Sequence, residues 1–179
     1  MKAFRHFITI TKHRHAVMRH CFKAGIPWRG LLHDLSKYTP AEFIPGARYY
    51  QGNKSPQVEE RRLFGYSAAW LHHKGRNKHH FEYWSDYVQG VGVAPIEMPL
   101  PYVIEMFCDR VAACKIYQKD AYRQDAALRY YENAKSHYVM HPNTAALLES
   151  CCRCLRSKGK MRYFAISAAS FWANKLYRI

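Results

Sequence analysis

Leu31-Leu32-His33-Asp34-Leu35-Ser36-Lys37 sets a histidine and an aspartate directly behind two leucines. An ionised group in an apolar setting is costly unless it is paired or bound to a cation. The same conflict recurs at Asp109, inside Met106-Phe107-Cys108-Asp109-Arg110-Val111-Ala112-Ala113. Both runs read as helical, and helical periodicity extends outward from them in each direction. The chain is therefore expected to be all-α, with these costly residues sharing one interior site.

Toward the N-terminus, Phe7, Ile10, Val17, Cys21 and Phe22 give an apolar stripe over about 4–24, and Gly25 is a good stop. Pro27 suits the first turn of a second helix, expected over 28–37, which would hold His33 and Asp34 within it. Thr39-Pro40-Ala41-Glu42 has the spacing of a capping box and starts a third helix or helical turn. Gln51 to Pro56 is a polar loop. Ser55-Pro56, followed by Glu59-Glu60, opens a helix expected to end near 73–75. Gly75-Arg76-Asn77-Lys78 is a tight polar loop, and 91–101 is irregular. Pro101 begins a helix that carries Ile104, Phe107, Val111 and Cys114 toward a core. Helices over about 122–136, 144–157 and 161–177 complete the chain. Phe164, Phe171 and Trp172 are expected to pack in the last of these. No sustained alternation is present, so strands are at most minor. The expected architecture is a single-domain helical bundle over 1–179, with the site in 1–120 and additional C-terminal helices in 121–179.

Composition narrows the partners. The 179 residues carry 28 Lys+Arg against 13 Asp+Glu, a net charge of +15, with 11 histidines besides. Such an excess attracts anions, whether nucleotides, phosphate esters or nucleic acid. The basic residues are spread along the chain, so no disordered nucleic-acid arm is indicated. There is no run of about 18 uncharged apolar residues and no apolar secretory core, so no membrane is expected and a cytoplasmic location is. The six cysteines lack the separated pairs of a zinc site and read as reduced packing thiols.

The chemistry lies in an ordered set of His and Asp. His13 lies in the first helix, with His15 as its alternative. His33 and Asp34 follow, then the pairs His72-His73 and His79-His80, and finally Asp109. Imidazole suits zinc, iron, nickel and manganese-class ions, and a carboxylate can bridge two of them. Neighbouring helical residues point about 100° apart, so His33 and Asp34 can share an ion only near a helix edge or in a bend. The competing reading of the paired histidines is an anion-binding loop or helix C-terminal cations. Lys37, Arg76 and Lys78 are candidate phosphate contacts; otherwise they are solvated. Tyr49, Tyr50, Trp70, Tyr83 and Trp84 read as core more readily than as base-stacking platforms.

The order His13, His33-Asp34, Asp109 resembles the H…HD…D signature of the HD superfamily of metal-dependent phosphohydrolases, and His33 to Lys37 resembles its HD-x-x-K. The resemblance covers about 5–120. The chain is also similar to a small bacterial family of uncharacterised HD-like proteins, through Gly46-Ala47-Arg48-Tyr49-Tyr50-Gln51-Gly52-Asn53 and the segment from Trp70 to His80. The resemblance implies an HD-type helical domain. It implies one ion held by His13, His33, Asp34 and Asp109. A second would be held through a bridging Asp34 with His72 or His73 and His79 or His80. The Asp-Gly and Gly-Tyr-Pro residues that follow in cyclic-dinucleotide phosphodiesterases of that superfamily are absent.

The expected function is hydrolysis of a nucleotide or other phosphate ester by metal-activated water, with Asp34 and Lys37 catalytic and Lys37, Arg76 and Lys78 on the substrate. The cofactor would be one or two divalent ions of iron, manganese, zinc or nickel. One alternative is a di-iron HD-type oxygenase. Another is a basic nucleic-acid or anion-binding protein with a structural or vestigial metal site.

Overall fold

The computed structural model describes residues 1–158, and the expected helix over 161–177, with Phe164, Phe171 and Trp172, lies outside them. The described chain is predominantly helical: α1 (Lys2–Lys23), α2 (Pro27–Leu32), α3 (Pro40–Arg48), α4 (Pro56–Phe64), α5 (Ala68–Arg76), α6 (Leu100–Gln118), α7 (Ala126–Ala134) and α8 (Pro142–Lys158). One short antiparallel hairpin, β1 (Ser85–Val88) and β2 (Gly92–Pro95), pairs Ser85 with Pro95 and Val88 with Gly92. No helix among the described residues is long and apolar enough to cross a membrane.

α6 is the central element. Val103 through Cys108 are consecutively buried, so its interior extends around most of its circumference. Such all-round burial marks a helix enclosed by others. α1 lies against it through Val17 and Cys21, and α7 and α8 close the other side with Leu128, Tyr131, Leu147, Leu148 and Leu155. All six cysteines are free, and five are buried. Burial pushes the Cys108 and Cys151 thiols well up, which suits inert packing groups.

α1 buries His6, Ile10, His13, Val17, His20 and Cys21. Its three buried histidines recur at seven-residue spacing, which keeps them on one helix face. α1 ends as expected at Gly25, whose φ is 80°. There the Ile26 N–H donates to the Cys21 carbonyl at 3.0 Å and the Gly25 N–H to the Phe22 carbonyl at 3.2 Å, a Schellman closure. α2 then crosses α1 so closely that a Cβ on Gly30 would lie 2.7 Å from the Cys21 Cβ.

Three local expectations need correction. The second helix does not run to 37. It stops at Leu32, His33 turns extended, and Asp34 adopts the left-handed conformation (φ 54°, ψ 27°) before a 3-10 turn over Leu35–Tyr38. The helix expected from 56 to 75 is two, because Gly65 turns left-handed at φ 78°. Thr39 and Glu42 form no capping box: Thr39 makes no side-chain cap and instead donates to the Ser36 carbonyl. The Glu42 carboxylate is engaged with two histidines.

Candidate metal centre

The break after α2 builds the site. By leaving the helix at His33, the chain turns two successive side chains into one interior, which a continuous helix would hold about 100° apart. Aspartate is one of the few residues that tolerates the left-handed region. Arg14 of α1 ties the break down: its guanidinium donates to the Leu31 carbonyl, and to the His33 carbonyl at 3.2 Å. These are helix-end carbonyls that have no partner within α2.

Around Asp34 the other candidates converge. His13 Nε2 lies 2.8 Å from Asp109 Oδ1 and 3.9 Å from Asp34 Oδ2. His33 Nε2 lies 3.2 Å from Asp34 Oδ2 and 3.6 Å from Asp109 Oδ1. On the other oxygen, His73 Nε2 and His79 Nε2 stand 3.4 and 3.5 Å from Asp34 Oδ1. Besides a group of His33, His79 and Glu105, two sets result, each with its donor atoms within 4.8 Å of one another: His13, His33, Asp34 and Asp109, and Asp34, His73, His79 and His80. Asp34 belongs to both.

The two sets come from five places in the chain. His13 comes from α1, His33 and Asp34 from the break, and His73 from α5. His79 and His80 come from the turn after α5, and Asp109 from α6. The turn has its own supports: the His80 N–H donates to the Asn77 carbonyl, and Asn77 Nδ2 donates to Ser36 Oγ and to the His73 carbonyl.

Most donor atoms are buried and poorly satisfied. Eleven buried side-chain polar atoms among the described residues lack a well-formed hydrogen bond, and seven belong to these two sets: Nε2 of His13, His33, His73, His79 and His80, with both oxygens of Asp34. Of these, His13 Nε2 is ion-paired with Asp109 at 2.8 Å and Asp34 Oδ2 with Lys37 at 2.6 Å. A buried polar atom left wholly unbonded costs about 1–3 kcal/mol, so this crowding of poorly satisfied groups marks a candidate ligand site. Their chemistry, imidazole nitrogen and carboxylate oxygen, suits a divalent transition ion.

Two glutamates that sequence reading missed hold the ligands from behind. Glu105 Oε1 lies 2.9 Å from His33 Nδ1 and 3.3 Å from His79 Nδ1, and its other oxygen pairs with Arg29 at 3.3 Å. Glu42 lies 2.8 Å from His72 Nδ1 and 2.7 Å from His73 Nδ1. A carboxylate on Nδ1 favours a proton there, which would leave Nε2 for an ion. Without one, burial opposes the charge on His33, but Asp34, Asp109 and Glu105 outweigh it and raise the His33 pKa well above its usual value. Glu105 carried a readable signal, a charge inside Val103-Ile104-Glu105-Met106-Phe107 and one helical turn before Asp109. The signal of Glu42 was masked by its capping-box spacing.

The electrostatics follow from burial and crowding. Burial opposes ionisation of Asp34, but His33, Lys37 and His73 outweigh it and hold the carboxyl well below its usual range. Asp109 is likewise depressed, by His13 and His33 against burial. Burial lowers His13, with the Asp109 hydrogen bond opposing it, while His80 is pushed well down by burial and by His79 and His73. Lys37 Nζ sits 2.6 Å from Asp34 Oδ2. Burial works against its charge, but Asp34 and Asp109 raise its pKa all the same.

Not every candidate joins the site. His15 is exposed, so α1 offers His13. His72 is half-buried on Glu42 and stands outside both sets, because its neighbour His73 takes the inward direction of α5. Arg76 and Lys78 are exposed and line neither set; the Lys78 ammonium lies 5.7 Å from the centre of the Tyr83 ring.

Residues 2–154 match a family of unknown function, DUF5662. No curated protein and no solved structure matches the chain.

Proposed function

For this chain, which belongs to the DUF5662 family of unknown function, we propose a metal-dependent phosphohydrolase of the HD type, acting on a nucleotide or other phosphate ester. The observation that carries the reading is the convergence of five buried imidazole nitrogens and both oxygens of one shared aspartate. The ordered His13, His33-Asp34, Asp109 pattern supports it from the sequence side. His13, His33, Asp34 and Asp109 would hold one divalent ion, and Asp34, His73, His79 and His80 a second. Bound there, such ions lower the pKa of water and neutralise charge developing on a phosphoryl group.

The chain supplies the rest. Glu105 and Glu42 sit on the Nδ1 side of His33 and His73 and would favour the tautomer that offers Nε2 to an ion. The break after α2, held by Arg14, presents both oxygens of Asp34 to the interior. Lys37 keeps its charge beside Asp34 and retains two ammonium protons for a phosphate oxygen. Asp109, partly open at 19% side-chain exposure, marks the solvent side of the ligand sets.

The test is metal analysis of untagged protein, wild type beside Asp34→Ala, followed by phosphatase assay of the loaded protein. The expected result is one or two equivalents of a transition metal in wild type, lost in the variant together with activity. No metal in either protein, and none on reconstitution, would sink the reading and leave the +15 surface as an anion-binding face. Iron with oxygen-dependent turnover would move the chemistry to the oxygenase alternative.

A further inference from the structure

Beside the metal centre lies a narrow cavity of about 50 Å³, bounded by α1, α3, the start of α4 and the end of α6. It is joined to the site by two residues. Lys37 lines it and reaches Asp34, and Glu42 lines it and holds His73. Ile10 of α1 also lines it, three residues before His13, or about 4.5 Å along the helix axis. The cavity therefore begins within one helical turn of the first ligand set.

Its walls carry spare hydrogen-bonding capacity. His6 is 5% exposed, and its buried Nδ1 has no partner among the described residues. The ring is seated against α3 where only glycine fits, since a Cβ on Gly46 would meet His6 Nε2 at 2.4 Å. Burial, then Lys37, lowers the His6 pKa to about 4, so the ring is neutral near pH 7. Tyr117 also lines the cavity, and its hydroxyl makes no hydrogen bond among the described residues.

We propose that this cavity receives the organic part of the substrate, and that the part is a small, uncharged, hydroxylated alcohol. The inference rests on the phosphohydrolase reading and narrows its substrate class. Three observations set the chemistry. At about 10–15 Å³ per water, 50 Å³ has room for about four waters, enough for a three-carbon polyol and far too little for a purine. An unpartnered imidazole nitrogen and a free phenol select hydroxyl groups over alkyl chains. Glu42 and Glu60 in the wall disfavour a second anionic group. The phosphoryl end would lie toward Lys37, and the alcohol toward His6 and Tyr117.

The experiment is calorimetric titration of metal-loaded protein with racemic glycerol 1-phosphate, adenosine 5′-monophosphate and inorganic phosphate, with the His6 ring followed by NMR. Glycerol phosphate should bind at least 10-fold tighter than either competitor and shift the His6 signals. Gly46→Ala, which drives a methyl into the His6 ring, should erase that advantage while inorganic phosphate affinity and metal content stay unchanged. Tyr117→Phe, which keeps the ring volume, should weaken glycerol phosphate about threefold and serves where Gly46→Ala does not fold. The nucleotide binding as tightly as glycerol phosphate, or a substitution weakening glycerol phosphate and inorganic phosphate equally, would overturn the pocket and leave the metal chemistry standing. Failure of the loaded wild type to bind any phosphate would overturn the phosphohydrolase reading itself.

Discussion

Glu105 shows how one side chain can serve two ligand sets. A single oxygen lies within reach of both His33 and His79, whose ring centres lie 4.4 Å apart and which belong to different sets, while Arg29 balances its second oxygen. The burial that would raise its carboxyl pKa is outweighed by those two histidines, so it stays ionised. Glu105→Gln keeps the shape but removes the charge that favours an Nδ1 proton on both rings. Losses of this kind cost about 10–100-fold in metal affinity, and competition against a chromogenic chelator should show such a drop with the fold intact. Unchanged affinity would mean that the rings are oriented by packing alone. The candidate ligands were readable because histidine and aspartate in apolar runs are conspicuous. Their supports were not, because a glutamate at Glu42 satisfies a familiar capping pattern equally well. Intrinsic spacing did not separate His13 from His15, since both belong to the same basic helix; the H…HD…D resemblance chose His13, and it is His13 that is buried while His15 is exposed.

At the scale of elements, the site depends on how α2 is pinned to α1. Gly30 permits the close crossing, and Arg14 holds the carbonyls beyond it. Gly30→Ala would place a methyl 2.7 Å from the Cys21 Cβ and 3.1 Å from the backbone of Met18, neither of which is a flexible side-chain end. The helices must separate, at about 1–3 kcal/mol for overpacking. Gly75→Ala is the matched control: it also lies within a helix, but its Cβ meets nothing within 4 Å. It should stabilise by up to about 1 kcal/mol through helix propensity. Urea unfolding of the two variants checks the pair, and equal effects would show that the crossing tolerates a methyl. Most helices were legible here, since Gly25, Pro27, Pro40 and Pro56 mark ends or starts by fixed backbone chemistry. The break at Asp34 was not, because aspartate only tolerates the left-handed region while glycine advertises it. The β1–β2 hairpin carried glycine signals at Gly90 and Gly92, but four-residue strands are too short to show alternation.

Across the whole molecule, acid sensitivity follows from two histidines that flank the ligand sets along α1. His6 and His20 each have a pKa lowered to about 4. Burial is the larger cause in both, followed by Lys37 for His6 and by Lys115, Lys23 and Arg19 for His20. An unfolded chain titrates these rings near 6.5, so between about 6.5 and 4 the unfolded state binds more protons than the folded one. Stability linked to these groups is therefore fully present above pH 6.5 and is lost as pH falls toward 4. The basic surroundings matter as much as burial: in a chain of net charge +15, each further proton is added against positive charge. The urea midpoint of the wild type should drop between pH 7 and pH 5. His20→Gln, which lies outside both ligand sets and cannot titrate, should lower stability at pH 7 but flatten the fall toward pH 5. Parallel pH profiles for wild type and His20→Gln would show that His20 does not drive the acid response, which would then have to come from His6 or the other buried histidines.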